Sequence, residues 1–129
     1  MTEMVKFGNV QTKRIPFAGI RSGVTYVTDP VQLPKDEAFA GYDAEFFRSR
    51  ALILVLDTVG SGSVRVGIRD IRVQGNTASV ILSRTMAGTV GTADRATWFV
   101  WAEVEQGLRY SWSVDNPVYR AARNNWVSI

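Results

Sequence analysis

The run Ala51-Leu52-Ile53-Leu54-Val55-Leu56 decides the fold, because it is apolar throughout and too short for a typical helix. Going outward from it, small residues at Gly60-Ser61-Gly62-Ser63 mark a turn. Three further segments rich in β-forming residues follow, at 64–73, 77–84 and 96–106. The pattern predicts that residues 51–107 form a β-meander, in which successive strands pair, as the core of one domain spanning residues 1–129.

The alternation of apolar residues changes phase inside the second of these strands. Apolar residues alternate from Val64 to Ile68 and resume at Ile71 in the opposite phase. Since a shift of one residue sends every following side chain to the other face, we predict a β-bulge near Arg69-Asp70. Gly75-Asn76 predicts the hairpin turn that comes next, because both residues tolerate positive φ.

The flanking segments complete the predicted architecture. Residues 5–27 favour N-terminal strands, and residues 109–129 form a C-terminal tail element. One short helix is expected within 36–50, where Asp36 or Asp43 serves as its N-cap. We therefore predict a mostly-β fold, an antiparallel β-sandwich or partly open barrel with one short helix.

The composition excludes several kinds of chemistry. The chain has no cysteine, which removes disulfides, thiolate nucleophiles and zinc–thiolate sites. It also has no histidine, the commonest general base and metal ligand. We therefore expect no enzyme, no cofactor and no metal site. The remaining catalytic option is Glu103 and Glu105, about 7 Å apart on one strand face, although solvated strand charges are the commoner explanation of such a pair.

Charge and hydropathy leave the compartment open. The net charge of +3 mainly supports solubility. No apolar segment approaches the ~20 residues of a membrane span. The start Met1-Thr2-Glu3-Met4 lacks the basic residues and apolar core of a signal peptide.

The turn Gly60-Ser61-Gly62-Ser63 is the first candidate binding site, because its backbone N–H groups would be open to a partner or an anion. It lacks the lysine and the following helix of a phosphate-binding loop. The alternative explanation is an ordinary hairpin turn.

Aromatic residues of the strand 96–106 form the second candidate site. Phe99 and Trp101 share one face of that strand, and Trp98 lies on the other. Two alternatives stay open for the face of Phe99 and Trp101. It is either an exposed binding patch or a face covered by the short helix, which would bury the sheet on both sides.

Arginines form the third candidate site. Arg65 and Arg69 share a strand face, and the predicted bulge adds Arg72 to it. Together with exposed aromatic rings they would bind phosphate or RNA, as β-sheet RNA readers do. The alternative is a solvated face on which the arginines pair with Glu103 or Glu105 of a neighbouring strand.

A series of short motifs runs from Phe46 to Gln106. They are Phe46-Phe47, Ala51-Leu52-Ile53-Leu54-Val55, a Gly-Ser-Gly turn, Val64-x-Val66-x-Ile68-x-x-Ile71 and Ala78-x-Val80-x-Leu82. In this order and spacing they resemble the C-terminal domain of the PrcB family. That family contains a subunit that accompanies and stabilises a secreted bacterial protease. The resemblance implies binding rather than chemistry, a bacterial accessory subunit, and export for a chain whose leader has been removed.

These observations favour a non-enzymatic protein-interaction domain. Its partner, which the resemblance suggests is a protease, would bind along an edge strand or at the loops 60–63 and 85–94. An edge strand would equally support a homodimer. The alternative function is a nucleic-acid or polyanion-binding module on Arg65, Arg69 and Arg72, although no block of like charges supports nucleic acid as the partner.

Overall fold

The computed structural model describes residues 3–15, 23–59, 64–86, 96–115, 119–120 and 126–127. Within these ranges it contains ten strands and three single turns of 3-10 helix. The strands are β1 (Glu3–Met4), β2 (Gly8–Ile15), β3 (Gly23–Val27), β4 (Arg50–Val59), β5 (Val64–Gln74), β6 (Thr77–Met86), β7 (Ala96–Glu105), β8 (Ser111–Asp115), β9 (Tyr119–Arg120) and β10 (Trp126–Val127). The 3-10 turns are Pro30–Gln32, Glu37–Phe39 and Phe46–Arg48.

The strands form two sheets packed face to face. Sheet A has the order β1-β5-β6-β9-β10, with β8 also paired to β6, and sheet B has the order β2-β7-β4-β3. The prediction of a mostly-β sandwich is confirmed, and the sheets do not close into a barrel. The antiparallel prediction is wrong for part of sheet A, because β8 and β9 run parallel to β6. The reason is that β7 reverses the chain direction in the other sheet before β8 returns beside β6.

The predicted meander over residues 51–107 has the right strands but the wrong pairing. Only β5 and β6 form a hairpin, whereas β4 pairs with β7 in the other sheet. The chain therefore crosses from sheet B to sheet A after β4 and returns after β6. Local sequence specifies each strand, but which strands pair depends on how the two sheets bury their apolar faces.

The predicted bulge in β5 is confirmed. The register between β5 and β6 shifts between Ile68 and Asp70, which leaves Arg69 as the extra residue. The shift turns Ile71 into the core, where it is fully buried. At the following turn Gly75 has a φ of 61°, a conformation that glycine adopts without strain.

The sandwich core lies between the sheets, where inward-facing aliphatic side chains of β4, β5, β6 and β7 meet. A second cluster lies on the opposite face of sheet B and includes Val27, Phe39, Phe47, Leu52, Leu54 and Trp101. Residues 51–55 of β4 are all buried because one face of this strand contributes to each cluster. A strand covered on both faces accounts for the unbroken apolar run in the sequence.

The segment that covers the second cluster has two 3-10 turns within 36–50 in place of the one predicted helix. Asp36 caps the first of these turns by accepting a hydrogen bond from the Ala38 N–H, at 2.9 Å. Asp43 accepts one from the Phe46 N–H, at 3.0 Å. The described residues contain no α-helix. Asp36 is therefore the N-cap of the first turn, as predicted, whereas Glu45 occupies the N-cap position of the second turn and makes no side-chain cap hydrogen bond. Gly41 lies between the two turns and disfavours one continuous helix.

Candidate functional site

Residues Gly60, Ser61, Gly62 and Ser63 of the first candidate site lie outside the described residues, as does most of the loop 85–94. The strands on either side show what residues 60–63 connect. β4 ends at Val59 in sheet B, and β5 begins at Val64 in sheet A. The segment therefore joins two sheets, and the prediction of an ordinary hairpin turn is wrong because β4 and β5 do not pair.

The aromatic face of β7 is covered. Trp101 is only 4% exposed, and its ring centroid lies 4.6 Å from that of Phe39. Phe99 is half-buried and meets Phe39 edge-on at 5.5 Å. The Trp101 indole N–H donates to the Tyr42 hydroxyl at 3.0 Å. Of the two alternatives, the sheet covered on both faces is correct, and the exposed aromatic patch is wrong for Trp101.

The three arginines of β5 lie on the outer face of sheet A. The side chains of Arg69 and Arg72 are 57% and 51% exposed, and the Asp70 carboxylate lies 3.7 and 3.6 Å from them. The predicted pairing of arginine with Glu103 or Glu105 is wrong, because both glutamates lie on β7 in sheet B.

The arginines are also separated from the aromatic side chains that an RNA-reading sheet would need. Phe99 and Trp101 belong to sheet B, and neither β5 nor β6 contains an aromatic residue. The structure therefore brings Arg65, Arg69 and Arg72 together without Phe99 and Trp101.

The two glutamates of β7 have structural contacts. Glu103 Oε2 accepts a hydrogen bond from Asn9 Nδ2 at 2.8 Å, and Glu103 Oε1 lies 3.9 Å from Arg50 Nε. Glu105 is exposed, and its backbone carbonyl accepts a hydrogen bond from the Tyr26 hydroxyl at 2.7 Å. These contacts tie β2, β3 and β4 to the end of β7.

β2 is a free edge of sheet B. It pairs with β7 on one side, and no strand in the described part of the chain pairs with its other side. Its register is irregular between Gly8 and Gln11, where Asn9 has a φ of 49°, and regular from Gln11 to Ile15. Among the described residues no second strand lies beside this regular half, and alternate residues of such an edge turn their backbone N–H and C=O groups outward.

A groove of about 490 Å³ runs beside this edge. The β2 side is formed by Gln11, Thr12 and Lys13, the opposite side by Ala38, Gly41 and Tyr42, and Trp101 lies between them. The groove therefore combines polar residues of the edge strand with the aromatic side chains of Tyr42 and Trp101. The sequence indicated an edge strand here but not the groove, because the groove exists only where the 36–50 segment folds over sheet B.

Lys13 bridges the two sides of this groove. Its Nζ donates to Asp36 Oδ1 at 2.7 Å. The hydrogen bond from Lys13, followed by that from the Ala38 N–H, lowers the pKa of the Asp36 carboxyl below its ordinary value of 3.8. The same hydrogen bond raises the pKa of Lys13 above 10.5. The pair is therefore fully ionised between these two values.

A titration will test this pair. Because the pKa of Asp36 is lowered, its contribution to stability is present above about pH 4 and is lost as the pH falls through the folded-state value. We expect the carbon-detected NMR titration of the Asp36 carboxyl to have a midpoint below 3.8, and Lys13→Met to raise that midpoint. Lys35→Met is the matched control, since it removes an exposed lysine next to Asp36 in sequence. An equal effect of both variants would contradict the assignment.

Sequence analysis missed a buried ion pair that joins the two sheets. Arg84 of β6 donates to Asp57 of β4 in a bidentate arrangement, with Nε–Oδ2 at 3.0 Å and Nη2–Oδ1 at 2.6 Å. The side chains are 14% and 1% exposed. The signal was available, because Asp57 continues the inward face of Val55, and Arg84 that of Leu82. Opposite charges at core-facing positions of two strands predict such a pair.

Trp98 lies opposite Asp57 on β7. Its indole N–H is buried and has no hydrogen-bond partner among the described residues. An unsatisfied buried donor is destabilising, typically by about 1–3 kcal/mol. Asp57 and Thr97, the two polar or charged residues that are buried among those described, both lie at this end of the β4–β7 pair.

No family model, curated protein or solved structure matches this chain. Within the part of the chain that the structure describes, no cluster of acidic side chains is arranged to hold a metal ion. The described segments contain no helix with the length and apolar character to cross a membrane.

Proposed function

We propose that this domain is a non-enzymatic protein-interaction module that binds an extended segment of its partner along the free edge of β2. The observation that carries the proposal is the outermost position of β2 in sheet B, where Gln11 to Lys13 lie beside a groove lined by Tyr42 and Trp101. A partner strand would complete the hydrogen bonds of the edge, and alternate side chains of that strand would enter the groove.

The other strand edges are less open than that of β2. At β3, Tyr26 stacks on Trp112 of β8, with ring centroids 5.2 Å apart, so the two sheets approach each other there. β1 and β10 have only two residues each within the described part of the chain. Strand addition needs several consecutive backbone groups, and β2 supplies them.

Lys13, a charged residue on the edge strand β2, forms an ion pair with Asp36. Lysine on an edge strand commonly blocks strand addition, because its charge would have to lose water against an incoming strand. Here Lys13 Nζ is held by Asp36 at 2.7 Å, on the groove side of the strand. The ion pair holds the Lys13 ammonium group against Asp36.

The identity of the partner is a separate step of the proposal. The PrcB-like series of motifs supports a bacterial protease as the partner, with this domain as an accessory subunit. That support is the order and spacing of strands and turns from Phe46 to Gln106. The groove requires only that the partner present an extended segment.

Filling the groove will test the binding surface. Gly41 lines the groove, and a Cβ there would meet no atom within 4 Å, so Gly41→Leu adds an apolar side chain at the groove wall without a clash at the Cβ. We expect peptides selected from a displayed library of short random sequences to lose at least about tenfold in affinity for Gly41→Leu. We also expect them to shift the amide NMR signals of residues 11–15 in the unmodified protein.

Gly23→Leu is the matched control, because Gly23 also has open space around its Cβ but lies on β3 at the opposite edge of sheet B. It should leave affinity unchanged within about twofold. Selected peptides that bind both variants equally, or a library that yields no binder, would overturn the proposed function. Self-association that Gly41→Leu abolishes would assign the groove to a second copy of this chain and would likewise overturn the proposal.

A further inference from the structure

We propose that the outer face of sheet A carries a phosphate-binding notch, in which Arg65 and Arg69 flank Gly67 and Ser83 supplies a hydroxyl group. The notch lies on β5 and β6, whereas the peptide-binding groove lies on β2 of the other sheet. The proposed phosphate site is therefore separate from the peptide-binding groove and would add a second binding activity to the domain. The ligand is a phosphate group, either of a small phosphate compound or of a nucleic-acid backbone.

The floor of the notch is set by a glycine. Gly67 lies directly opposite Ser83 in the β5–β6 ladder, and a Cβ at Gly67 would lie 3.0 Å from Ser83 Oγ. Ser83 Oγ can therefore lie this close to the backbone of β5 only because residue 67 has no side chain. The Ser83 hydroxyl makes no hydrogen bond within the described part of the chain. It is available to donate to a ligand.

The walls of the notch are arginines. In a strand, residues two positions apart point to the same face, so Arg65 and Arg69 extend from the same side as Gly67. Their Cα atoms are about 13 Å apart by strand rise, with the glycine midway between them. Two long flexible side chains on either side of a gap can converge on one ligand over it. Guanidinium groups bind phosphate through paired N–H donors.

The bulge adds a third guanidinium to this face. Without the register shift at Arg69, Arg72 would point into the sandwich and Ile71 toward solvent. With it, Arg65, Arg69 and Arg72 are all exposed on the outer face. Bulges commonly redirect side chains at functional sites. The bulge at Arg69 thus has two effects: it buries Ile71 in the core and exposes Arg72 on the outer face.

The hydrogen-bonding capacity of these arginines is largely unused. Asp70 lies 3.7 Å from Arg69 Nε and 3.6 Å from Arg72 Nη2, which are ion-pair contacts longer than hydrogen bonds. Arg65 has no carboxylate within ion-pair distance among the described residues. Two guanidinium groups and a hydroxyl group present more donors than the two oxygens of a carboxylate can accept. A phosphate group, with three strong acceptor oxygens, matches them.

Binding measurements with two probes will test the notch. The probes are inorganic pyrophosphate, followed by calorimetry, and fluorescently labelled oligothymidylate, followed by anisotropy at physiological salt. We expect both to bind and to compete, and Arg65→Gln and Arg69→Gln each to weaken binding about tenfold. Gly67→Ala should weaken binding similarly while keeping every charge, because its methyl group would displace the Ser83 hydroxyl group from its position.

Arg48→Gln is the matched control, since it removes an equally long cation that is 77% exposed and lies on a 3-10 turn beside sheet B. It should change affinity by less than about twofold. Tighter binding of the oligonucleotide identifies a nucleic-acid strand as the source of the phosphate, and tighter binding of pyrophosphate identifies a small phosphate compound. The proposal is overturned if neither probe binds, if Arg48→Gln weakens binding as much as Arg65→Gln, or if folded Gly67→Ala binds normally.

Discussion

Asp57→Asn is expected to lower the free energy of unfolding by about 3–5 kcal/mol, the range found when one partner of a buried ion pair is removed. The reason is the position of Arg84, whose side chain is 14% exposed and donates two hydrogen bonds to Asp57. Asparagine cannot balance that charge in an interior from which water is largely excluded. Urea-induced unfolding at neutral pH, followed by tryptophan fluorescence, measures the loss.

An exposed ion pair of the same chain provides the control. Arg48 and Glu45 lie 3.5 Å apart with side chains 77% and 78% exposed. Water screens such a pair, so Glu45→Gln should cost less than about 1 kcal/mol. A similar effect of Asp57→Asn and Glu45→Gln would show that Arg84 does not depend on its carboxylate.

The double replacement Asp57→Leu with Arg84→Met separates charge from packing. It removes both charges and supplies apolar volume on both sheets, so it should recover most of the stability lost in Asp57→Asn. Buried ion pairs replaced by apolar residues commonly give neutral or stabilised proteins. Recovery would identify the unpaired charge as the cause of the loss. A double variant as unstable as Asp57→Asn would show instead that the geometry of the pair aligns the two sheets.

Trp101→Ala is expected to destabilise the domain by about 3–5 kcal/mol, the usual cost of removing a buried tryptophan side chain. Trp101 connects sheet B to the 36–50 segment that covers it, since its ring packs on Phe39 and its N–H donates to Tyr42. The cavity would lie between β7 and the 36–50 segment. We therefore expect faster hydrogen exchange at the amides of Phe39 and Tyr42 in addition to the drop in global stability.

Two further variants define what the tryptophan contributes. Trp101→Phe keeps an aromatic ring against Phe39 but loses the donor to Tyr42, so it should cost about 1–2 kcal/mol. Val31→Ala changes a residue of the preceding 3-10 turn, Pro30–Gln32, that is 86% exposed, and should cost less than about 0.5 kcal/mol. If Trp101→Ala left both stability and exchange unchanged, the cover would not depend on this contact.

Side-chain alternation was sufficient to predict the local structure of β5 and β6. The phase change between Ile68 and Ile71 predicted the bulge, and Gly75-Asn76 predicted the turn between the strands. Both features depend on neighbours within a few residues along the chain, and for this reason they could be inferred before any packing was known.

The candidate sites were predictable only in part, for a physical reason. The exposure of Arg65, Arg69 and Arg72 follows from strand parity and the bulge. The environment of Phe99 and Trp101 does not, because it depends on a cover formed some sixty residues earlier in the chain. For the Asp57–Arg84 pair, strand alternation directs both side chains inward, but the packing of the two sheets decides that these two positions face each other.

The sequence by itself determined the strands β4 to β7, the register shift in β5, the capping role of Asp36 and the absence of cysteine and histidine. These properties follow from residue type and short-range periodicity. Tertiary structure alone decided that β4 pairs with β7, that β8 runs parallel to β6, and that the 36–50 segment closes a groove beside β2. Pairing and covering bury apolar faces that lie far apart along the chain, so their outcome depends on the shape of the whole domain.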